Sequence, residues 1–232
     1  MNRLPLIRWM TMFSASRLLT ACAWLTMPAT AVLGGLQARA QTPAAAAVSV
    51  AAVAPDAFIL DLSTEVLNMV KGDKAIQAGD LSRVMALVDT KVMPHVNFQR
   101  MTASAVGRHW RTATPEQQKR LQDEFKILLV RTYAGALAQV RDQSIALKPS
   151  RSNPGDNDVV VRTEIKGRGE PIQLDYRLER AGSAWKVYDF NVLGIWLVEQ
   201  YRSSFAQEIT ASGIDGLINK LAERNKSAAP KA

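Results

Sequence analysis

Cysteine and histidine are nearly absent from this chain of 232 residues, which has one cysteine, Cys22, and two histidines, His95 and His109. A single cysteine excludes an internal disulfide framework. One thiol and two imidazoles fall short of the four ligands that a structural zinc site uses. Neither histidine sits beside a serine or the cysteine in a nucleophile motif, and there is no G-x-S-x-G. A phosphate-cradling loop is also missing. Gly167-Arg168-Gly169 joins two strand-like runs and opens no helix, so it reads as a hairpin turn. Beyond residue 40 no segment approaches the ~18 unbroken apolar residues of a membrane helix.

Acidic residues are absent from residues 1–40, which carry Arg3, Arg8, Arg17 and Arg39. A basic start leads into the apolar stretch Leu18 to Leu36 and closes on Ala38-Arg39-Ala40. That is the layout of a secretory signal, with cleavage expected after Ala40. Leu19-Thr20-Ala21-Cys22 offers a rival reading as a lipoprotein box, against which Arg17 interrupts the preceding apolar run. An uncleaved anchor is a third reading, weakened by Trp24, Pro28 and Gly34-Gly35. The whole chain has 29 basic and 21 acidic residues. Without the four leading arginines the balance is 25 against 21, or +4, with no run of like charge. Nucleic acid is therefore not an expected partner.

Residues 41–55 (QTPAAAAVSVAAVAP) are uncharged and of low complexity and read as a flexible linker. The fold is expected over 56–223, with a flexible tail at 224–232. Phe58, Ile59, Leu62, Val66, Met69 and Val70 recur at helical spacing, as do Leu81, Val84, Val88 and Val92 before Pro94. A third helix is expected from Phe98 to Trp110. Thr114-Pro115-Glu116-Gln117 is a capping signature, followed by a long amphipathic helix through Leu121, Phe125, Leu128, Leu129 and Tyr133. The period then switches to two. Four strands are expected, at 144–148, around Val159 to Ile165, at 172–179 and at 185–192, with short turns that imply an antiparallel meander. The polar side of strand 172–179, including Asp175 and Glu179, is expected to face water. Helical spacing returns from Ile195 to Ile209, Gly213 ends that helix, and Asp215 can cap the next. Helices, a four-stranded sheet and helices again make an α+β fold.

The carboxylates show no sequestered pair of the kind that general acid catalysis needs. The inner face is expected to carry Phe125, Tyr133, Tyr176, Trp185, Tyr188, Phe190, Trp196, Tyr201 and Phe205. Spacing alone leaves open whether this face is a packed core or the wall of an apolar pocket.

Six segments in order carry a family resemblance. They are Val96 to Met101, Gly107 to Gln117, Leu128 to Leu137 (LLVRTYAGAL), Trp185 to Val192, Tyr201 to Phe205, and Gly213 to Leu217. Together they resemble the MlaC family of periplasmic phospholipid-binding proteins of the maintenance-of-lipid-asymmetry system, also known as toluene-tolerance proteins. Asn97 departs from the pattern, where an aspartate is expected; it reads as a cap or turn position.

The resemblance implies a fold like nuclear transport factor 2, with acyl chains held in an apolar cavity between sheet and helices, and no catalysis or cofactor. It implies lipid exchange in the periplasm with an outer-membrane lipoprotein–porin complex and an inner-membrane ABC transporter carrying a substrate-binding ring. Two acyl chains of roughly 30 methylenes cost on the order of 20 kcal/mol to expose to water, so such a carrier needs a large apolar lining. Inward periodicity and resemblance together nominate Phe125, Leu129, Tyr133, Val159, Val161, Ile172, Leu174, Tyr176 and Ile195 as lipid-binding. Arg131, Arg141 and Arg202 are candidate rim contacts for the lipid, with the reading as solvated helix residues preferred for each. The competing readings are a carrier of another lipid such as a hopanoid, a non-catalytic adaptor whose apolar face is core, and an enzyme of the same fold using His95, His109 or Asp189.

Overall fold

A computed structural model describes residues 53–227 apart from 150–152 and 154. The expected signal segment 1–40 and nearly all of the linker 41–55 lie outside the described residues. The chain begins with α1 (Pro55–Gly72), α2 (Lys74–Gln77) and α3 (Leu81–Leu87). Asp73 and Asp80 cap the second and third of these, each accepting two backbone N–H groups at the helix start. A π turn (Val88–Val92) and a 3-10 turn (Met93–His95) lead to α4 (Phe98–Val106). The expected continuation of α4 to Trp110 is instead a 3-10 turn from Gly107, whose φ of +68° ends the α-helix. Asn97 caps α4, its Oδ1 accepting from Arg100 N at 3.0 Å.

The long helix α5 (Pro115–Ala138) has the anticipated reciprocal cap, with Thr114 N donating to Gln117 Oε1 at 3.0 Å and Gln117 N to Thr114 Oγ1 at 3.2 Å. Gln117 Nε2 also donates to Asp215 Oδ2 at 3.0 Å, tying α5 to the final helix α6 (Leu197–Ser227). Gly213, at φ +73°, breaks α6 into two segments. The helix continues into the stretch read as tail, where the buried Asn225 donates to Glu124 O and Oε2 on α5.

The sheet is an antiparallel meander of β1 (Ser144–Leu147), β2 (Asp158–Lys166), β3 (Ile172–Ala181), β4 (Ala184–Val192) and β5 (Ile195–Trp196), in that spatial order. The fifth strand corrects the four-strand expectation. Leu193 and Gly194 form a two-residue turn that folds the chain back, pairing Val192 with Ile195 and Asn191 with Trp196. Ile195, Leu197 and Val198 mimic helical spacing, which hides this hairpin from a periodicity argument.

A bulge at Tyr188 shifts the register between Leu178↔Val187 and Arg177↔Asp189. The extra residue keeps Trp185 and Val187 on the same apolar face as Phe190 and Val192, and turns Asp189 and Asn191 to the other. That second face is not simply wet, as expected for strand 172–179. Asp175 is buried, accepting from Gln173 Nε2 at 2.6 Å and Thr163 N at 3.3 Å. Glu179 is half-buried and is gripped by Arg100 and Asn97. Arg100 also lies 3.5 Å from the centre of the Tyr188 ring and Arg177 3.9 Å from that of Trp196, so these two aromatic residues, expected on the inner face, stand with the polar groups instead. On the apolar face, α1 lies over β1 and β2, α4 and α6 lie over β4, and α5 packs on α6, α3 and α4.

Candidate functional site

Burial along the apolar face of the sheet changes from one end to the other. On β3, Leu178 and Tyr176 are sealed, Leu174 is half-buried and Ile172 is 43% exposed. On β2, Val159, Val161 and Thr163 are sealed and Ile165 is half-buried. On β4, Trp185 and Val187 are sealed, while Phe190 and Val192 are half-buried. The sealed end is covered by Ile59 and Phe58 of α1. Phe190 and Val96 join it to a second cluster built around Phe125, Leu128, Tyr201 and Phe205, against which Leu129, Tyr133 and Val192 pack half-buried. The space between sheet and helices is thus closed by side chains at one end and incompletely covered at the other. It is not one deep pocket along its whole length.

The nine nominated residues divide accordingly. Val159, Val161 and Tyr176 belong to the sealed sheet end, with Leu174 packed at its border. Phe125 is fully buried among three aromatic rings, at 5.0 Å from Tyr201, 5.2 Å from Phe205 and 5.8 Å from Phe98. Leu129 and Tyr133 sit half-buried one turn apart on α5. Ile172 and Ile195, at 43% and 53% exposed, stand at the uncovered end rather than inside. They stay accessible because α1 packs on β1 and β2 and α4 and α6 pack mainly on β4, leaving these two side chains uncovered.

Tyr176 is the polar group of the sealed end. Its hydroxyl lies 3.0 Å from Ser63 Oγ on α1. Burial pushes the phenol up to about 12, against the opposing pull of hydrogen bonds with Ser63 and Thr163. The unfolded phenol titrates near 10, so the folded state holds its proton longer as pH rises. Stability is therefore full below pH 10 and is lost from there upward, approaching about 3 kcal/mol as pH passes 12. Denaturant melts from pH 9 to 12 are expected to show this loss in the natural chain, and Tyr176→Phe is expected to remove that part of the slope.

The candidates for chemistry are occupied otherwise. Asp189 is 1% exposed; its Oδ1 accepts from Phe190 N at 2.9 Å and from Val198 N, in the first turn of α6, at 3.1 Å. Its Oδ2 accepts from Arg177 Nη1 at 3.0 Å. Burial pushes this carboxyl up, with the Val198 amide and the Arg177 charge pulling the other way. His95 meets the Phe58 ring edge-on at 5.6 Å, and His109 Nε2 accepts from Arg108 Nε at 3.3 Å. Among the described residues no group of three or more metal-ligating side chains converges, and no helix is long and apolar enough to cross a membrane.

The three arginines also have defined places. Arg141 donates to Ala138 O and Val140 O at the end of α5, and Arg202 to Ser104 O. Arg131, read as solvated, has Nε and Nη1 buried without a hydrogen-bond partner. It is two residues from both Leu129 and Tyr133, so it occupies the opposite face of α5. No pattern in the sequence signals its burial.

Two open clefts lie elsewhere. One, of about 600 Å³, is on the polar face of the sheet between Lys148, Arg162, Asp175, Arg177 and Trp196. The other, of about 780 Å³, lies among the ends of α1, α2 and α3. Neither is lined by any of the nine nominated residues.

Comparison with known proteins yields one family. The family model described as MlaC protein matches residues 60–223. The toluene tolerance protein ttg2D of Pseudomonas putida is 27% identical over 188 residues, covering 78% of this chain and 87% of that protein. The intermembrane phospholipid transport system binding protein MlaC of Haemophilus influenzae is 22% identical over 177 residues, covering 75% and 83%. Among solved structures, the phospholipid-binding protein from Ralstonia solanacearum, in complex with a phospholipid, is 47% identical with a TM-score of 0.74. The match covers 76% of this chain and 99% of that one.

Proposed function

The chain belongs to the MlaC family, and on that premise we propose that it is a periplasmic phospholipid carrier without catalytic activity. The observation that carries this reading is the incomplete cover of the inward apolar face. Leu129 and Tyr133 on α5, and Ile165, Leu174 and Val192 on the sheet, all face inward and stay partly accessible. Each methylene left in water forgoes about 0.8 kcal/mol, so covering these residues is favourable. Acyl chains laid between these residues would complete the burial. The charged head group would remain outside, which avoids burying an unpaired charge.

The solved relative with a bound phospholipid supports the ligand class. In the full reading, the protein ferries lipid between an outer-membrane lipoprotein–porin complex and an inner-membrane ABC transporter with its substrate-binding ring. Handing lipid on requires affinities that are nearly balanced along the route, because a carrier that binds too tightly becomes a trap.

Native mass spectrometry of residues 41–232, purified from the periplasm without detergent, tests this reading. The expected result is a mass increment that organic extraction identifies as a diacyl phospholipid. Leu174→Glu, which places a charge on the inward face, is expected to lower occupancy at least tenfold while the fold is retained. A lipid-free mass with no uptake from added vesicles would overturn the carrier reading, and undiminished occupancy in Leu174→Glu would remove this face as the binding surface.

A further inference from the structure

Of the exposed large hydrophobic residues among the described residues, three gather where β3 begins and β4 turns into β5: Ile172 (43%), Leu193 (66%) and Ile195 (53%). The pairing register joins them to the inward face. Ile195 pairs with Val192, Val192 with Leu174, and Ile172 is the next position on the same side of β3 beyond Leu174. Leu193 N donates to Gln173 O at 3.0 Å, which pins the β4–β5 turn beside Ile172.

Leu193 is the anomaly among them. The two central residues of this turn, Leu193 and Gly194, have φ of +53° and +87°. Two-residue hairpin turns with both φ values positive favour asparagine or glycine at the first position, because a side chain with a Cβ is strained there. A bulky leucine is among the poorer choices, and here it gains no burial in return. The turn is nevertheless held firmly, with Asn191 Oδ1 accepting from Gly194 N at 2.8 Å. Strain that the surrounding structure enforces, on a residue that stays 66% exposed, points to a working position.

We propose that Leu193, with Ile172 and Ile195, forms an apolar lip through which the acyl chains of the lipid pass on entering and leaving the protein. This inference rests on the carrier reading and adds where the lipid crosses. The occupant is argued from continuity: the lip extends the inward face without a polar break, so a chain sliding out from Leu174 and Val192 meets apolar surface before it meets water. Such a lip lowers the barrier to transfer without adding to the resting affinity, since the bound chains lie deeper.

The test separates rate from occupancy. Leu193→Asn suits the turn and removes the apolar side chain. Val53→Asn changes another exposed hydrophobic residue, away from the lip. Each full-length exported protein is loaded with fluorescent phosphatidylethanolamine and mixed with vesicles of phosphatidylethanolamine and phosphatidylglycerol. Leu193→Asn is expected to keep its bound lipid while uptake and release slow by about tenfold; Val53→Asn is expected to exchange at the natural rate. Natural-rate exchange in Leu193→Asn would overturn the lip as a lipid passage and favour a protein-docking surface. Loss of occupancy in that variant would overturn it too, by making Leu193 part of the holding site. A natural protein that takes up no lipid would instead overturn the carrier reading itself.

Discussion

Phe125→Ala is expected to destabilise the lipid-free protein by about 4 kcal/mol, a fall in melting temperature of roughly 10 °C. The residue is fully buried and its ring is edge-on to both Tyr201 and Phe205, with interplanar angles of 74°. Truncation removes the contact that α5 makes with both aromatic residues of α6 and with Phe98 of α4. Three helices lose one anchor at once, so little local collapse can refill the space. Thermal melts of delipidated protein measure the effect, because bound lipid would itself raise the apparent stability. A loss below about 1 kcal/mol would mean that the ring borders open space and belongs to the lipid lining after all. Leu129→Ala, one turn along on the half-buried face of α5, is expected to destabilise by about 1–2 kcal/mol.

Asp189→Ala is expected to destabilise by about 3 kcal/mol. The carboxylate joins three elements: it accepts from its neighbour Phe190 on β4, from Val198 at the start of α6, and from Arg177 on β3. Alanine leaves the buried Val198 N–H without its acceptor. Arg177 keeps partial compensation, since it reaches Glu199 at 3.2 Å and stacks on the Trp196 ring at 3.9 Å. That places most of the expected loss on the helix start and not on the ion pair. Combining Asp189→Ala with Arg177→Ala in a double-mutant cycle separates the two, and a coupling energy near the whole 3 kcal/mol effect of Asp189→Ala would reverse that assignment. Asp189 was the one carboxylate that the sequence offered for chemistry; its geometry is that of a joint between sheet and helix.

How much of this was legible beforehand follows from how local each determinant is. The α5 cap was readable because Thr114, Pro115 and Gln117 act within four residues. Asn97 as a cap was readable for the same reason. The hairpin runs around Val159 to Ile165 and Ile172 to Leu178 announced themselves by alternation, and so did the turns between them. The fifth strand was not legible, because Ile195, Leu197 and Val198 satisfy a helical spacing and only the left-handed turn at Leu193–Gly194 directs the chain back onto β4. The bulge at Tyr188 was equally hidden, since alternation counts residues and cannot see which one goes unpaired.

For eight of the nine residues nominated for the lipid, the sequence by itself determined the side: Val159, Val161, Ile172, Leu174 and Tyr176 on the apolar side of the sheet, and Phe125, Leu129 and Tyr133 on the apolar side of α5; Ile195, read as helical, is in β5. That follows from the period of two and the period of 3.6, which are properties of a single element. Depth was decided only by the tertiary structure. Phe125 is sealed because α4 and α6 bring Phe98, Tyr201 and Phe205 around it, whereas Ile172 and Ile195 are left uncovered by the helices that pack on the rest of the face. Burial is a relation between elements distant in sequence, and periodicity within one element carries no record of what will be packed against it.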